Sequence, residues 1–511
     1  MKRLVLVIAA ITLLLAVGCA PKERTLRIEI FDRGNVQPGV LENGPPAQWI
    51  QKAFGDPNHV KIEWVPVPRP KEVEKLQLMM AAGDAPDLCF TYDAVLVAKY
   101  ANEGGLADLT KSLARDGKTL SSFIGKDALD YGVFNGKQYA IPGKRQLLGI
   151  SGTWIRKDWL DKLGLPVPKT RDEWLNAVRM FKAKDPGKCG ANLMAVGDTG
   201  LSWNIAYSFY EPNTERDRAG WVGPTSTKAF HDMAIPGTKE ALKFGNMLNA
   251  EGLLPKDWAL WPKNDMLNLQ AAISKGYVGT FTNNLAYPWF YNLMPAIQKN
   301  CPECEWVPID PFTNSEGKTP KYVYSPIGIF NMVPASSKNA DLVVKYLNWM
   351  ADLKNMTKIM FGDEGTHYDL DANGLIVPRK LSGDQVWEAG NILDRVIILN
   401  GRPYDSIDKA IMAQTASWVD AKYPAQVFLD HYKMVQKDGV PPVRLASPPD
   451  SLSKQGAMLM DKAEEMMKQL IAAKPAEFDA MFDKMQKEWL DMGGAQVKAD
   501  MLAVYDKEHK K

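Results

Sequence analysis

Between residues 24 and 90 the spacing of apolar residues switches from two to about 3.6 and back, twice. Leu26, Ile28 and Ile30 alternate with Arg27 and Glu29, and Val60, Ile62 and Trp64 alternate with Lys61 and Glu63, the period of strands with one buried face. Ala47 to Phe54 reads as a helix between them. After Pro70, Lys71 to Ala82 places Val73, Leu76 and Met80 at helical spacing and stops at Gly83, and Asp87 to Phe90 reads as a third, buried strand. This β-α-β-α-β order predicts a parallel sheet with helices on both faces, where ligands sit at the carboxyl ends of strands. A second unit begins near residue 148. Leu148 to Ile155 reads as strand, Arg156 to Leu163 as helix ending at Gly164, and Thr170-Arg171-Asp172-Glu173 as a capping box that opens another helix. Tyr322 to Pro334 is strand-rich, Asn339 to Leu353 is an amphipathic helix, and the last 65 residues hold long helical runs. No low-complexity linker separates these parts, which predicts lobes joined by short crossing strands.

At 511 residues the chain has room for two or three domains. Its 62 basic and 60 acidic residues are mixed along the length, so no footprint for nucleic acid exists and no such partner is expected. Lys2 and Arg3 precede an apolar run from Leu4 to Val17 that is shorter than the roughly 20 residues of a spanning helix, so residues 1–18 read as a signal peptide. The run ends Leu15-Ala16-Val17-Gly18-Cys19, which resembles a bacterial lipobox with Ala16 in the place usually held by Leu. The resemblance implies diacylglycerol on the Cys19 thiol, with residues 19–24 as a tether to the outward-facing side of the cell membrane. Two acyl chains supply the anchoring that one cannot. Cys89, Cys189, Cys301 and Cys304 allow three complete pairings, but the Cys301-Pro302-Glu303-Cys304 run is expected to close a local disulfide in a surface loop. The histidines are scattered at no ligand spacing, and no metal or other cofactor is expected.

Further motifs follow in order: Leu78-Met79-Met80-Ala81-Ala82-Gly83-Asp84-Ala85-Pro86-Asp87, then Asn135 to Pro142, then Ile155 to Leu165 with Pro168-Lys169-Thr170. Later come Phe361 to Tyr368 with Asn373-Gly374, and Glu477-Phe478-Asp479 with Gly493-Gly494. Together they resemble the family 1 extracellular solute-binding proteins, and within them the large sugar-binding lipoproteins of ABC importers similar to maltose-binding protein. The resemblance runs from the lipobox almost to the C-terminus. It implies an α/β, two-lobed periplasmic-binding-protein-like fold (type II), with hinge-connected lobes and a ligand cleft between them. Lobe 1 is expected to comprise residues 25–147 and 322–358, and lobe 2 residues 148–321 and 359–511 with the C-terminal helices.

A sugar offers an apolar C–H face to an aromatic ring and paired hydroxyls to planar polar groups. The expected platforms are Tyr92, Trp154, Trp203 and Trp289, and the expected polar clamps are Asp32, Arg33, Asp93, Arg145, Asn283 and Asn284. Asp32 and Arg33 follow the first strand, and Tyr92 and Asp93 follow the third. Arg145 follows the predicted lobe crossing, and the strand Gly276 to Phe281 delivers Asn283 and Asn284 into a loop, followed by Trp289. Asp93→Ala is expected to weaken ligand binding at least tenfold, about 1.4 kcal/mol, with little effect on stability.

Asp369-x-Asp371-x-Asn373-Gly374 copies half of an EF-hand loop, but its twelfth position is Lys380, so an Asn-Gly turn between two strands accounts for the same residues. Gly149-Ile150-Ser151-Gly152 is followed by Thr153 and misses a nucleophile elbow, and no G-x-x-x-x-G-K-[ST] phosphate loop is present. No catalytic residue is expected. The sequence therefore reads as a monomeric substrate-binding lipoprotein that captures a sugar or oligosaccharide by lobe closure and delivers it to an ABC permease. The alternatives are an exported carbohydrate-active hydrolase or lyase, and the same fold binding peptide or another solute.

Overall fold

The structure, a computed structural model, describes residues 24–149, 151–197, 202–210, 214–222, 232–261, 267–404 and 406–509; Cys19 and the indole of Trp203 lie outside the described residues. The chain forms two compact units, Met1–Lys144 with Gly328–Pro403 and Arg145–Ile327 with Tyr404–Lys511, and passes from one to the other three times. Its principal strands, in order, are β1 (Arg24–Asp32), β2 (Val60–Pro68), β3 (Cys89–Thr91), β4 (Ala140–Arg145), β5 (Ser151–Arg156) and β6 (Met194–Val196). They continue with β7 (Val278–Asn284), β8 (Trp306–Ile309), β9 (Ile327–Met332), β10 (Tyr368–Leu370), β11 (Ile376–Pro378) and β12 (Leu399–Asn400).

In the first unit β1 and β2 run parallel in continuous register from Arg24 opposite Val60 to Asp32 opposite Pro68. A parallel bridge from Ile28 to Leu88 brings in the start of the third strand. Leu26, Ile28 and Ile30 are buried, as their period predicts. The third strand begins at Cys89 rather than Asp87; at Asp87 the side-chain carboxylate, not a backbone carbonyl, accepts from the Arg27 N–H, and it also accepts from the Ser337 hydroxyl. A second sheet has the order β12-β4-β9-β3, and β9 and β3 are antiparallel. The unit is thus mixed rather than wholly parallel, since β9 carries the chain back from the other unit instead of completing a β-α-β crossover.

Residues 359–403 belong to this first unit, not to the second as the sequence suggested. The reason lies in three contacts. β12 adds to the edge of β4, the Asn331 amide donates to the carbonyls of Ile141 and Ile397, and the fully buried Arg395 pairs with Glu388 while donating to the Leu41 carbonyl. Within that segment β10 and β11 form an antiparallel hairpin. The Asp371 carboxylate accepts from the N–H groups of Asn373 and Leu375, and both oxygens of Asp369 accept from Arg379, so the EF-hand-like residues serve the turn.

The second unit contains a sheet of order β8-β5-β7-β6, antiparallel except for the β6–β7 pair. Trp159, Trp174, Phe181 and Trp489 are buried in its core. The capping box at Thr170 forms as expected and opens the helix Arg171–Lys184. The helix Asp450–Ala472 packs on the helix Thr238–Ala250, whose Asn246 amide donates to the carbonyls of Leu470, Ile471 and Ala473 and so satisfies a helix end that would otherwise be orphaned. Cys301 and Cys304 are disulfide-bonded, but the pair is buried beside Arg156 rather than set in a surface loop. Cys89 and Cys189 are buried free thiols.

Candidate functional site

The carboxyl ends of β1, β2 and β3 bring Asp32, Arg33, Arg69, Tyr92 and Asp93 to one edge of the first unit. Parallel strands deliver their next residues to the same end, which is why positions so far apart in sequence meet there. The Arg33 guanidinium makes a bidentate ion pair with Asp394, Nε to Oδ2 at 2.6 Å and Nη2 to Oδ1 at 2.8 Å. The Asp394 side chain is only 6% exposed, while Arg33 keeps about a third of its surface. The hydrogen bond to Asp394 raises the Arg33 pKa, so its charge is permanent. One edge of the fork is thus fixed, and the guanidinium is held in a set orientation.

Arg69 lies over two rings at once, its Cζ 4.8 Å from the centroids of both Phe31 and Tyr92. Those rings are nearly coplanar in tilt, 23° apart with centroids at 6.3 Å. Arg69 also pairs with Glu72 at 3.5 Å, and burial pushes the Glu72 carboxyl up. Tyr92 is therefore a half-buried ring with a guanidinium on it, at the mouth of a recess lined by Phe31, Phe90, Asp394 and Asn400. The recess is small, about 10 Å³, which is room for one water. It is a mostly apolar notch beside the ring, with Asp394 and Asn400 as its polar groups, rather than a chamber for a ligand.

Asp32 and Asp93 have local partners. Asp32 Oδ1 accepts from the Gly34 N–H at 2.8 Å. Asp93 is the N-cap of the helix Ala94–Asn102, with Oδ1 accepting from Val95 at 2.9 Å and Leu96 at 3.0 Å. This revises the expected outcome of substitution. Asp93→Ala should cost about 1 kcal/mol of stability as a lost cap, whereas Asp93→Ser keeps a capping oxygen. Thermal unfolding and titration calorimetry on both variants separate the two roles: a loss of affinity in Asp93→Ser with an unchanged Tm assigns the carboxylate to ligand, and full affinity in Asp93→Ser assigns it to the cap alone.

The second unit disposes of its candidates differently. Trp154 has no exposed surface; its indole N–H donates to the Leu285 carbonyl at 2.9 Å, and its ring meets His431 edge-on at 4.5 Å. Trp289, 6% exposed, packs at 5.1 Å from Trp154 and against Tyr423 and Phe428. Both are core residues, and a ring with no free face offers nothing to a sugar, so the platform expectation is corrected for Trp154 and weakened for Trp289. Asn283 and Asn284 end β7 itself, opposite Gly152 and Ser151, rather than entering a loop. Their Oδ1 atoms accept from the N–H groups of Asn284 and Ala286. Arg145 lies with its Cζ 4.1 Å from the Tyr324 ring.

Arg69, Glu72 and Asp394 were missed by sequence reasoning. Arg69 was within reach, because it follows β2 just as Asp32 follows β1 and Tyr92 follows β3. Asp394 was not, since its segment was assigned to the other unit.

Residues 42–357, more than half of the chain, match the family model described as bacterial extracellular solute-binding protein. The chain belongs to that family. Among similar proteins, lipoprotein LipO of Bacillus subtilis is 25% identical over 346 residues, covering 64% of this chain and 65% of LipO, a little under two thirds of that relative. The polygalacturonan/rhamnogalacturonan-binding protein YtcQ of the same organism is 23% identical over 473 residues, 89% of this chain and 87% of YtcQ. Among solved structures, an HMO-binding, ABC-transporter-associated solute-binding protein from Bifidobacterium longum infantis is 19% identical, with 96% of this chain and all of that one covered at a TM-score of 0.66. The S. pneumoniae substrate-binding protein FusA in complex with kestose is 18% identical, with 95% and 99% covered at a TM-score of 0.60. These likenesses establish the fold as the α/β, type II solute-binding architecture that the sequence led us to expect.

Proposed function

We propose that this protein captures an oligosaccharide outside the cell and hands it to the permease of an ABC importer, tethered to the membrane through acyl chains on Cys19. Its work is binding and shape change, with no catalytic step, no cofactor and a single chain as the working unit. The observation that carries this reading is the grouping of a half-buried aromatic ring, Tyr92, with two guanidinium groups, Arg33 and Arg69, at the carboxyl end of parallel strands in a chain of the solute-binding family. A ring that takes the C–H face of a pyranose and forks that take its hydroxyls are the two contacts a sugar needs. The names of YtcQ and FusA, which specify a polygalacturonan/rhamnogalacturonan and a fructooligosaccharide, support the choice of carbohydrate over peptide.

Titration calorimetry of the purified chain against a panel of oligosaccharides and peptides, with chromatography of each mixture afterwards, tests the proposal. One oligosaccharide should bind at one per chain and be recovered intact. Heat from peptides alone would favour a peptide receptor, and cleaved glycan would favour a hydrolase.

A further inference from the structure

The second unit contains a cavity that the sugar-binding proposal does not use. It is open to solvent, has a volume of about 550 Å³, and is lined by Arg171, Ser208, Phe209, Thr313 and Asn314 with Glu240 and Ser315 at its exposed side. That volume is within the roughly 300–1,000 Å³ range of small-molecule pockets.

Arg171 has no carboxylate partner among the described residues. Its Nη2 donates to the carbonyls of Ser208 and Thr313 and to the Ser208 hydroxyl, its Nε is buried without a partner, and its plane stacks on Phe209 at 3.9 Å. Burial lowers its pKa, against a smaller opposing pull from the neighbouring Asp172. The two fully buried guanidinium groups among the described residues are each neutralised, Arg156 by Asp158 and Arg395 by Glu388. Arg171 is half-buried without such a partner, and it borders open space. The helices Arg171–Lys184 and Thr238–Ala250 both begin at this cavity, so their positive ends add to the same field.

We infer that this cavity binds a small molecule through a carboxylate, with Arg171 as the counter-ion and the Thr313 hydroxyl and Asn314 amide as hydrogen-bond donors. A monoanion suits the site better than a phosphate. Only one arm of the guanidinium is left uncommitted by the protein, and Glu240 on the rim opposes a second negative charge.

The test is binding of D-glucuronate, D-glucose and inorganic phosphate to the full chain, followed by titration calorimetry, in the native protein and in Arg171→Gln, Glu240→Gln and Ser315→Glu. Glucuronate should bind and glucose should not compete with it. Arg171→Gln and Ser315→Glu should each weaken glucuronate at least tenfold, and Glu240→Gln should tighten it about threefold, in line with removal of one like charge near a partly solvated site. Because Glu240 and Ser315 are exposed, their variants read out the site even if Arg171→Gln loosens the loops it ties. No glucuronate binding, binding that none of the three variants changes, or phosphate binding more tightly than glucuronate would overturn the assignment. These outcomes are independent of the oligosaccharide titration, which leaves Arg171 untouched.

Discussion

Glu29→Gln is expected to be more stable than the native protein by about 4–5 kcal/mol above pH 8, and indistinguishable from it below pH 4. Glu29 lies inside β1, 1% exposed, with one carboxylate oxygen accepting from the Phe90 N–H and the other without a partner. Burial pushes its pKa up to about 8, and the nearby Glu72 pushes in the same direction. The folded state therefore holds a proton that the unfolded state releases near pH 4.5. Stability from this group is fully present below pH 4.5 and is lost as pH rises through 8. Gln keeps the acceptor for Phe90 and cannot ionise, so its variant should show a flat profile where the native chain slopes downward. His431 produces the opposite slope. Burial lowers its pKa to about 3 from an ordinary 6.5, so its contribution is intact above pH 6.5 and is lost as pH falls toward 3. Native stability should accordingly peak between about pH 4.5 and 6.5. Urea unfolding midpoints measured from pH 4 to 9 check this, and equal slopes for the native protein and Glu29→Gln would show that Glu29 is not buried in its protonated form.

Trp154→Ala is expected to lose about 3–5 kcal/mol of stability, the usual cost of deleting a large buried aromatic ring and leaving a cavity behind. Trp154 sits at the middle of β5 with Trp289, His431 and Phe281 around it and its indole N–H satisfied by Leu285. Its loss removes the packing of the ring and orphans the Leu285 carbonyl. The same residue chosen as a sugar platform would instead lose affinity at constant stability, so the two readings differ in which measurement moves. Denaturant unfolding that shows less than about 1 kcal/mol of loss would contradict the packing assigned to it.

Much of the first unit was legible because its information is local and periodic. The alternation at Leu26 to Ile30 and Val60 to Trp64 fixed two strands, and the rule that ligands gather at carboxyl ends of parallel strands pointed to Arg33, Tyr92 and Asp93, which the fold does bring to one edge. The second unit was less legible for a physical reason. A Trp on a strand has the same local sequence whether its face is covered or open, and what covers Trp154 is the helix Ala425–Gln436, more than 270 residues away in the chain. Asp394 illustrates the same limit. It pairs with Arg33 across 361 residues, and no spacing rule anticipates a partner supplied by a long return segment. The turn at Asp371 and the capping box at Thr170 were readable because every group they need lies within four residues.

The central claim, that the strand-end cluster of the first unit holds a sugar, is tested most directly by saturation-transfer NMR with the oligosaccharide that calorimetry identifies, on the native protein and on Tyr92→Ala. Saturation should pass to the C–H protons of one pyranose face in the native protein and disappear from that face in the variant, with affinity at least tenfold lower, about 1.4 kcal/mol. The same protons saturated to the same extent at unchanged affinity in Tyr92→Ala would place the sugar elsewhere on the molecule and contradict the account.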